Sequence, residues 1–133
     1  MVTSRERQYE ALDELKAILA GEHEEFSLVL VEGHRDVEAI KKIGISTPVE
    51  VNSHIGKSEH DIATDLSQIT RDILVLTDFD DKGITKAKRL SQLLEAEGVL
   101  VHHELRRKFG RLMGVLGVKT IESLDDIYSD LIT

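Results

Sequence analysis

The sequence predicts an α/β fold, a single domain built on a parallel sheet of about four strands flanked by helices. Short continuous apolar runs, Leu28-Val29-Leu30-Val31 and Ile73-Leu74-Val75-Leu76, have the length and composition of strands buried on both faces. Longer amphipathic segments of helical period lie between such runs, and this alternation reads as βα units with right-handed crossovers. A third observation bears on function. Each run closes on acid, as Val31-Glu32-Gly33 in one case and Thr77-Asp78-Phe79-Asp80 in the other. In an open parallel sheet the ligand crevice lies outside the carboxyl ends of the strands, a place where carboxylates from two strands can converge on one hard cation.

The elements follow in order. Thr3 with Glu6 makes a capping box, Tyr9, Leu12, Leu15, Ile18 and Leu19 keep helical spacing, and Gly21 follows, which predicts a helix over 3–20. Acidic Glu22-His23-Glu24-Glu25 leads into a first strand, Phe26–Val31. A Gly33 turn and a helix near Asp36–Lys42, ended by Gly44, carry the chain to a short second strand, Pro48–Val51. In the polar loop that follows, Asn52, Ser53 and His54 overhang the crevice, as an ordinary loop or as substrate contacts. Ser58–Gln68 reads as a second crossover helix, Asp72–Thr77 as a third strand, Gly83–Glu97 as a long helix ended by Gly98, and Val99–His102 as a fourth strand. Ser123 with Asp126 predicts a capped last helix using Leu124, Ile127, Tyr128 and Leu131. No internal repeat, low-complexity tract or linker interrupts the chain.

Composition bounds the function. With 133 residues, 41% hydrophobic and 32% charged, the chain has enough apolar material to bury a core. The lack of cysteine excludes disulfides, thiolate zinc sites and cysteine nucleophiles, and accords with a reducing cytoplasm. No apolar stretch reaches the roughly 18 residues of a membrane span and the first residues lack an apolar signal segment, so a cytoplasmic protein without membrane contact is expected. A net charge of −8 argues against a surface broadly coated by nucleic acid. Residues 101–119 stand apart, with Arg106, Arg107, Lys108, Arg111 and Lys119 against the single acid Glu104. That stretch reads either as a phosphate-facing arm or as a solvated helix or loop face.

Val-Glu-Gly-His-Arg-Asp-Val at 31–37, followed by Leu-Thr-Asp-Phe-Asp-Asp-Lys-Gly at 76–83, resembles the two motifs of the Toprim domain. That domain is shared by topoisomerases, bacterial primases, recombination-repair proteins and small ribosomal-RNA maturation nucleases. The resemblance covers about residues 25–103 and implies a Toprim-like Rossmannoid core, with the N-terminal helix and a basic extension over 104–133 outside it. It implies that Glu32 is the acid/base or metal-linked glutamate and that Asp78 and Asp80 are magnesium ligands, with manganese a substitute. Chemistry suits these roles, since magnesium is usually held by one or two carboxylates plus waters and phosphate. The plainer role for Asp78 or Asp80 is to cap the following helix. Asp36 matches the family's acid four residues after the glutamate, as a helper at the ion or as a helix cap. Asp81 extends the acidic run, but Lys82 stands where a third aspartate of Asp-x-Asp-x-Asp would fall, which leaves one tightly held metal and one recruited with substrate. Gly33 and Gly83 permit close backbone approach. His34, Arg35, Lys82, Arg106 and Arg107 are candidate phosphate contacts or solvated surface.

Other signals are excluded. Gly56-Lys57-Ser58 lacks the earlier glycine of a phosphate-binding Walker loop, because residue 51 is Val. His102 and His103 are adjacent, so on a strand they face opposite sides. The only tyrosines, Tyr9 and Tyr128, sit at helical core spacing, which is unlike the nucleophile of a topoisomerase. Without cysteine there is no primase zinc module, and few aromatics argue against a base-stacking platform. The expected function is a magnesium-dependent nuclease or related phosphodiester-processing enzyme acting on nucleic acid, with RNA favoured. The alternative is a non-catalytic metal-dependent module that binds nucleic acid or a partner, and a protein partner or a second copy stays open.

Overall fold

Alternation of side chains along the two apolar runs sorts the molecule into layers. A computed structural model describes residues 2–53 and 56–132. Its strands are β1 (Val29–Val31), β2 (Val49–Val51), β3 (Asp72–Val75) and β4 (Leu100–Val101), all parallel, in the order β2-β1-β3-β4. The helices are α1 (Ser4–Leu19), α2 (His34–Ile43), α3 (Glu59–Ser67), α4 (Asp81–Ala96), α5 (His103–Val115) and α6 (Leu124–Ile132). Val29, Val31, Leu74 and Leu76 point into one core with Leu15, Ile18, Ile40, Phe109 and Leu124, that is, with α1, α2, α5 and α6. Leu28, Leu30, Ile73 and Val75 point the other way, to Ile62 and Leu66 of α3 and Leu90 and Leu94 of α4. Burial on both faces is why these strands are continuously apolar. The four-stranded parallel sheet flanked by helices is the fold class the sequence predicts.

Topology places the site. From β1 the chain steps to one side through α2 to reach β2, then crosses back over β1 through α3 to β3 and on through α4 to β4. Steps in opposite directions put α2 on one face and α3 and α4 on the other, as right-handed crossovers require. The strand order therefore reverses between β1 and β3, and Glu32 and Asp78 follow those two neighbouring strands.

Several expectations change. Most of the basic stretch forms a packed helix, α5, whose Leu105, Phe109 and Met113 are buried against α1 while Arg107 and Arg111 stay exposed. Apolar residues four apart define that stripe, and their burial outweighs the charge of the residues between them. Tyr9 is 39% exposed and is not a core residue. The buried face of α1 runs through Leu12, Leu15 and Leu19, and from its edge the Tyr9 hydroxyl donates to the Leu131 carbonyl at 2.5 Å. β4 ends at Val101. His102 is the N-cap residue of α5 and is buried, its ring nitrogens 2.8 Å from Asp72 and 3.1 Å from Glu24, while exposed His103 turns to Glu95. Ser123 shares a hydrogen bond with the Thr120 hydroxyl. Asn52 is buried rather than overhanging, Ser53 is exposed, and His54 lies outside the described residues. Among the described residues no helix is long and apolar enough to cross a membrane.

Because Phe109 is fully buried at the centre of α5, Phe109→Ala should lower unfolding free energy by about 3–5 kcal/mol in urea titrations. A change of less than about 1 kcal/mol would return the basic stretch to a solvated role.

Candidate functional site

At the end of β3 and just beyond it the carbonyls on this side have no strand partner, and a side chain from another element must satisfy them. That group is Arg106 of α5. Its Nη1 donates to the carbonyls of Val75 at 3.1 Å and Thr77 at 2.8 Å, and its Nη2 to the carbonyl of Asp78 at 3.1 Å. The guanidinium lies 4.2 Å above the Phe79 ring, which stacks in turn near Phe109. Burial pulls the Arg106 pKa down to about 10, and the charges of Glu32 and Asp78 oppose that shift, so it remains a cation at neutral pH. Two further ties fix the loop. The Phe79 amide donates to the Lys119 carbonyl at 2.7 Å, and the Thr77 hydroxyl donates to the Gly83 carbonyl at 2.7 Å.

Gly83 is required by close approach. A Cβ built there would stand 2.1 Å from the Asp78 carbonyl oxygen, so only glycine lets the start of α4 pack against the strand-end loop. Gly110 does the same on α5, where a Cβ would meet the Phe79 ring at 2.6 Å. By contrast Gly33, the N-cap residue of α2, has open space and an extended backbone.

Two of the three expected carboxylates come together. The Glu32 carboxylate accepts from the Asp78 amide at 3.0 Å through Oε2 and from Lys86 Nζ at 2.7 Å through Oε1. The Asp78 carboxyl accepts from the Ile121 amide at 2.8 Å and faces Glu32 closely enough to hydrogen-bond with it. Burial is the largest influence on both. For Glu32 the bonds from Lys86 and Asp78 outweigh it and lower the pKa. For Asp78 burial, reinforced by the charge of Glu32, outweighs the Ile121 amide and pushes the pKa from 3.8 up to about 7. The pair thus titrates as a unit and shares a proton toward neutral pH.

The third carboxylate is turned elsewhere. Asp80 is the N-cap of α4, and its Oδ1 accepts from the Gly83 amide at 2.8 Å. Among the described residues no group of three or more acidic or histidine side chains is placed to hold a metal ion. Asp36 is buried and accepts from the Gly33 amide at 3.0 Å, so it closes the first turn of α2, and burial raises its pKa. Asp81, Lys82, His34 and Arg35 are exposed, with Arg35 paired to Glu122 at 3.1 Å. Arg107 is exposed and paired to Glu104. Arg106 is engaged by three carbonyls and turns inward, away from the exposed Arg107 and Arg111 of the same basic stretch.

Comparison with known proteins meets this geometry. The family model of the Toprim domain matches residues 27–103. The chain belongs to the Toprim family. Among its relatives, a UPF0292 protein of Thermococcus sibiricus is 37% identical over 76% of this chain and 75% of its own length. Another, from Methanosarcina barkeri, is 29% identical over 94% of this chain and 85% of its own. A solved structure of a protein from Aquifex aeolicus superposes with a TM-score of 0.59 at 26% identity, covering 86% of this chain and 95% of that one.

Sequence reasoning missed Lys86 within the Toprim core and, beyond it, the inward role of Arg106, the Ile121 amide and the need for Gly110. Lys86 had a signal, since it lies one helical turn beyond Lys82 on the same side of α4. The others depend on residues that approach from over twenty positions away.

Gly83→Ala should lower the melting temperature even though alanine is the better helix former by about 1 kcal/mol, because the backbone of Asp78 cannot yield. An unchanged or higher melting temperature would show that α4 can shift. An unfolded chain releases the Asp78 proton near pH 4, whereas the folded chain holds it to about pH 7. This contribution to stability is therefore full below the lower value and is lost as pH rises to the upper one. In metal-free buffer, wild type should lose melting temperature relative to Asp78→Asn across that window and be the less stable of the two at pH 8. Parallel curves would contradict the shared proton.

Proposed function

We propose that this Toprim protein is a magnesium-dependent phosphodiester-processing enzyme, a nuclease that acts on nucleic acid at Glu32 and Asp78. RNA is favoured through the resemblance to small ribosomal-RNA maturation nucleases. The observation that carries the reading is the facing pair of carboxyl groups at the switch point, where Glu32 accepts from the Asp78 amide at 3.0 Å and where burial, with the charge of Glu32, raises the Asp78 pKa. A divalent cation relieves that repulsion. The donor set consists of hard oxygens, which fits magnesium or manganese. Bound there, the cation would neutralise phosphate charge and lower the pKa of a coordinated water.

The protein's own groups divide the remaining work. Arg106 holds the Asp78 carbonyl, so the carboxyl group keeps its place against Glu32. Glu32, with two donors on it, stays ionised as a ligand. Asp78, facing Glu32, would give up its proton to become the second ligand, which leaves Glu32 the acid/base or metal-linked role that the resemblance implies. Lys86 and Lys82 bring positive charge to the phosphate side of α4, and Asp80 keeps one carboxylate oxygen beyond its cap. One observation favours the non-catalytic alternative. With Asp80 capping α4 and no three ligands assembled among the described residues, the pair also suits docking of a cation-bound phosphate without cleavage.

Purified protein with magnesium or manganese, incubated with structured and single-stranded RNA and DNA, separates the two. The enzyme reading expects cation-dependent cleavage that Glu32→Gln lowers by at least about a hundredfold. Millimolar cation should also raise the melting temperature of wild type and not of Asp78→Asn. Cation-dependent stabilisation without cleavage of any substrate would select the binding module, and absence of both would remove the metal.

A further inference from the structure

A cavity of about 710 Å³ opens between α4 and α5, beside the carboxyl pair rather than on it. Phe79, Ile84 and Ala87 make its apolar lining, and Lys88, Arg107 and Arg111 stand on its rim, with Glu95 the acid among the lining residues. Ile84 is 52% exposed, a large aliphatic side chain left in water one turn into α4. The groove begins at Phe79, which lies between Asp78 and Asp80. The inner end of the groove is therefore the loop that carries the candidate site.

Two properties together narrow the occupant. First, cations gather here on a chain of net charge −8. Lys88 and Arg111 have no ion-pair partner among the described residues, so their charge is available to a phosphate. Second, the floor rewards apolar surface. Bases in a duplex are stacked inside it, and only an unpaired base can lay its face on such a floor. A purely apolar ligand would leave the rim unused, and an acidic peptide would leave the floor unused.

We propose that the α4–α5 groove seats an unpaired stretch of nucleic acid, with bases against Ile84 and the edge of Phe79 and phosphates toward Lys88 and Arg111. Only the view that the flanking phosphate reaches Glu32 and Asp78 rests on the proposed function. Phe79 is clamped by Arg106 and offers the groove part of its ring. Seating is therefore apolar packing that tolerates any base, not a stacking platform.

The test is fluorescence anisotropy with a labelled short oligouridylate in EDTA at low salt, where binding is independent of metal and cleavage. An abasic strand of equal length and charge should bind about tenfold more weakly, the loss expected when apolar surface on Ile84 is no longer covered. Ile84→Glu and the Lys88→Glu, Arg111→Glu double variant should each cost at least as much, while Lys41→Glu on α2 leaves affinity within about twofold. All these positions are exposed, so unchanged melting temperatures verify the fold. The proposal is overturned if the abasic strand binds equally, if polyglutamate displaces the RNA at equal charge, or if the groove variants bind like wild type. Cleavage that Glu32→Gln abolishes, alongside groove variants that bind normally, would remove the groove and leave the proposed function standing. Groove-dependent binding without cleavage would do the reverse.

Discussion

Arg106 holds the loop from Thr77 to Phe79 in place, and the geometry of the candidate site depends on that hold. Three carbonyls at and just beyond the end of β3 converge on one guanidinium, which donates to all of them and stacks on Phe79 at the same time. A planar fork of fixed donors can do this where a lysine cannot. The cation is half-buried, and its desolvation is offset by carbonyl dipoles on one side and by the charge of Glu32 beyond them. Loss of this contact would leave the carbonyls unsatisfied and free Asp78 from its position against Glu32.

Charge at the switch point is nearly balanced without a metal. Helix N-termini favour nearby carboxylates, and α4 and α2 each draw one acid of the motif, Asp80 and Asp36, into their first turns. That leaves Glu32 and Asp78 as the facing pair. Lys86 neutralises one, and a retained proton neutralises the other. On the proposed reading, an arriving cation and its phosphate replace the proton and compete with the ammonium. Binding of metal and substrate is then coupled through the same two oxygens.

Helix α5 joins this site to the surface. Its apolar stripe fixes it on α1, Arg106 reaches inward, and Arg107 and Arg111 remain on the solvent side beside α4. One helix therefore positions the loop and borders the neighbouring groove. The basic residues do not act as a unit, and their separation into inward and outward roles follows from the turn of the helix.

The layers and strand ends were legible in the sequence because burial on both faces leaves an unmistakable apolar run, and because Asp and Gly mark the turns that follow. The family was legible for the same reason, since its motifs occupy those turns. Helix α5 was less so. Its charge dominates the eye, yet Leu105, Phe109 and Met113 already carried the period. By itself the sequence determined the parallel α/β fold and the acids Glu32, Asp78 and Asp80 at its strand ends, all consequences of local pattern and chain order, while the strand order that makes a switch point came from the packing. Tertiary structure alone decided that Asp80 caps α4 while Asp78 faces Glu32, that Lys86 is the resident cation, and that Arg106 points inward. Those outcomes depend on which hydrogen-bond donor lies nearest each carboxylate or carbonyl, and donors brought from distant segments have no signature in local sequence.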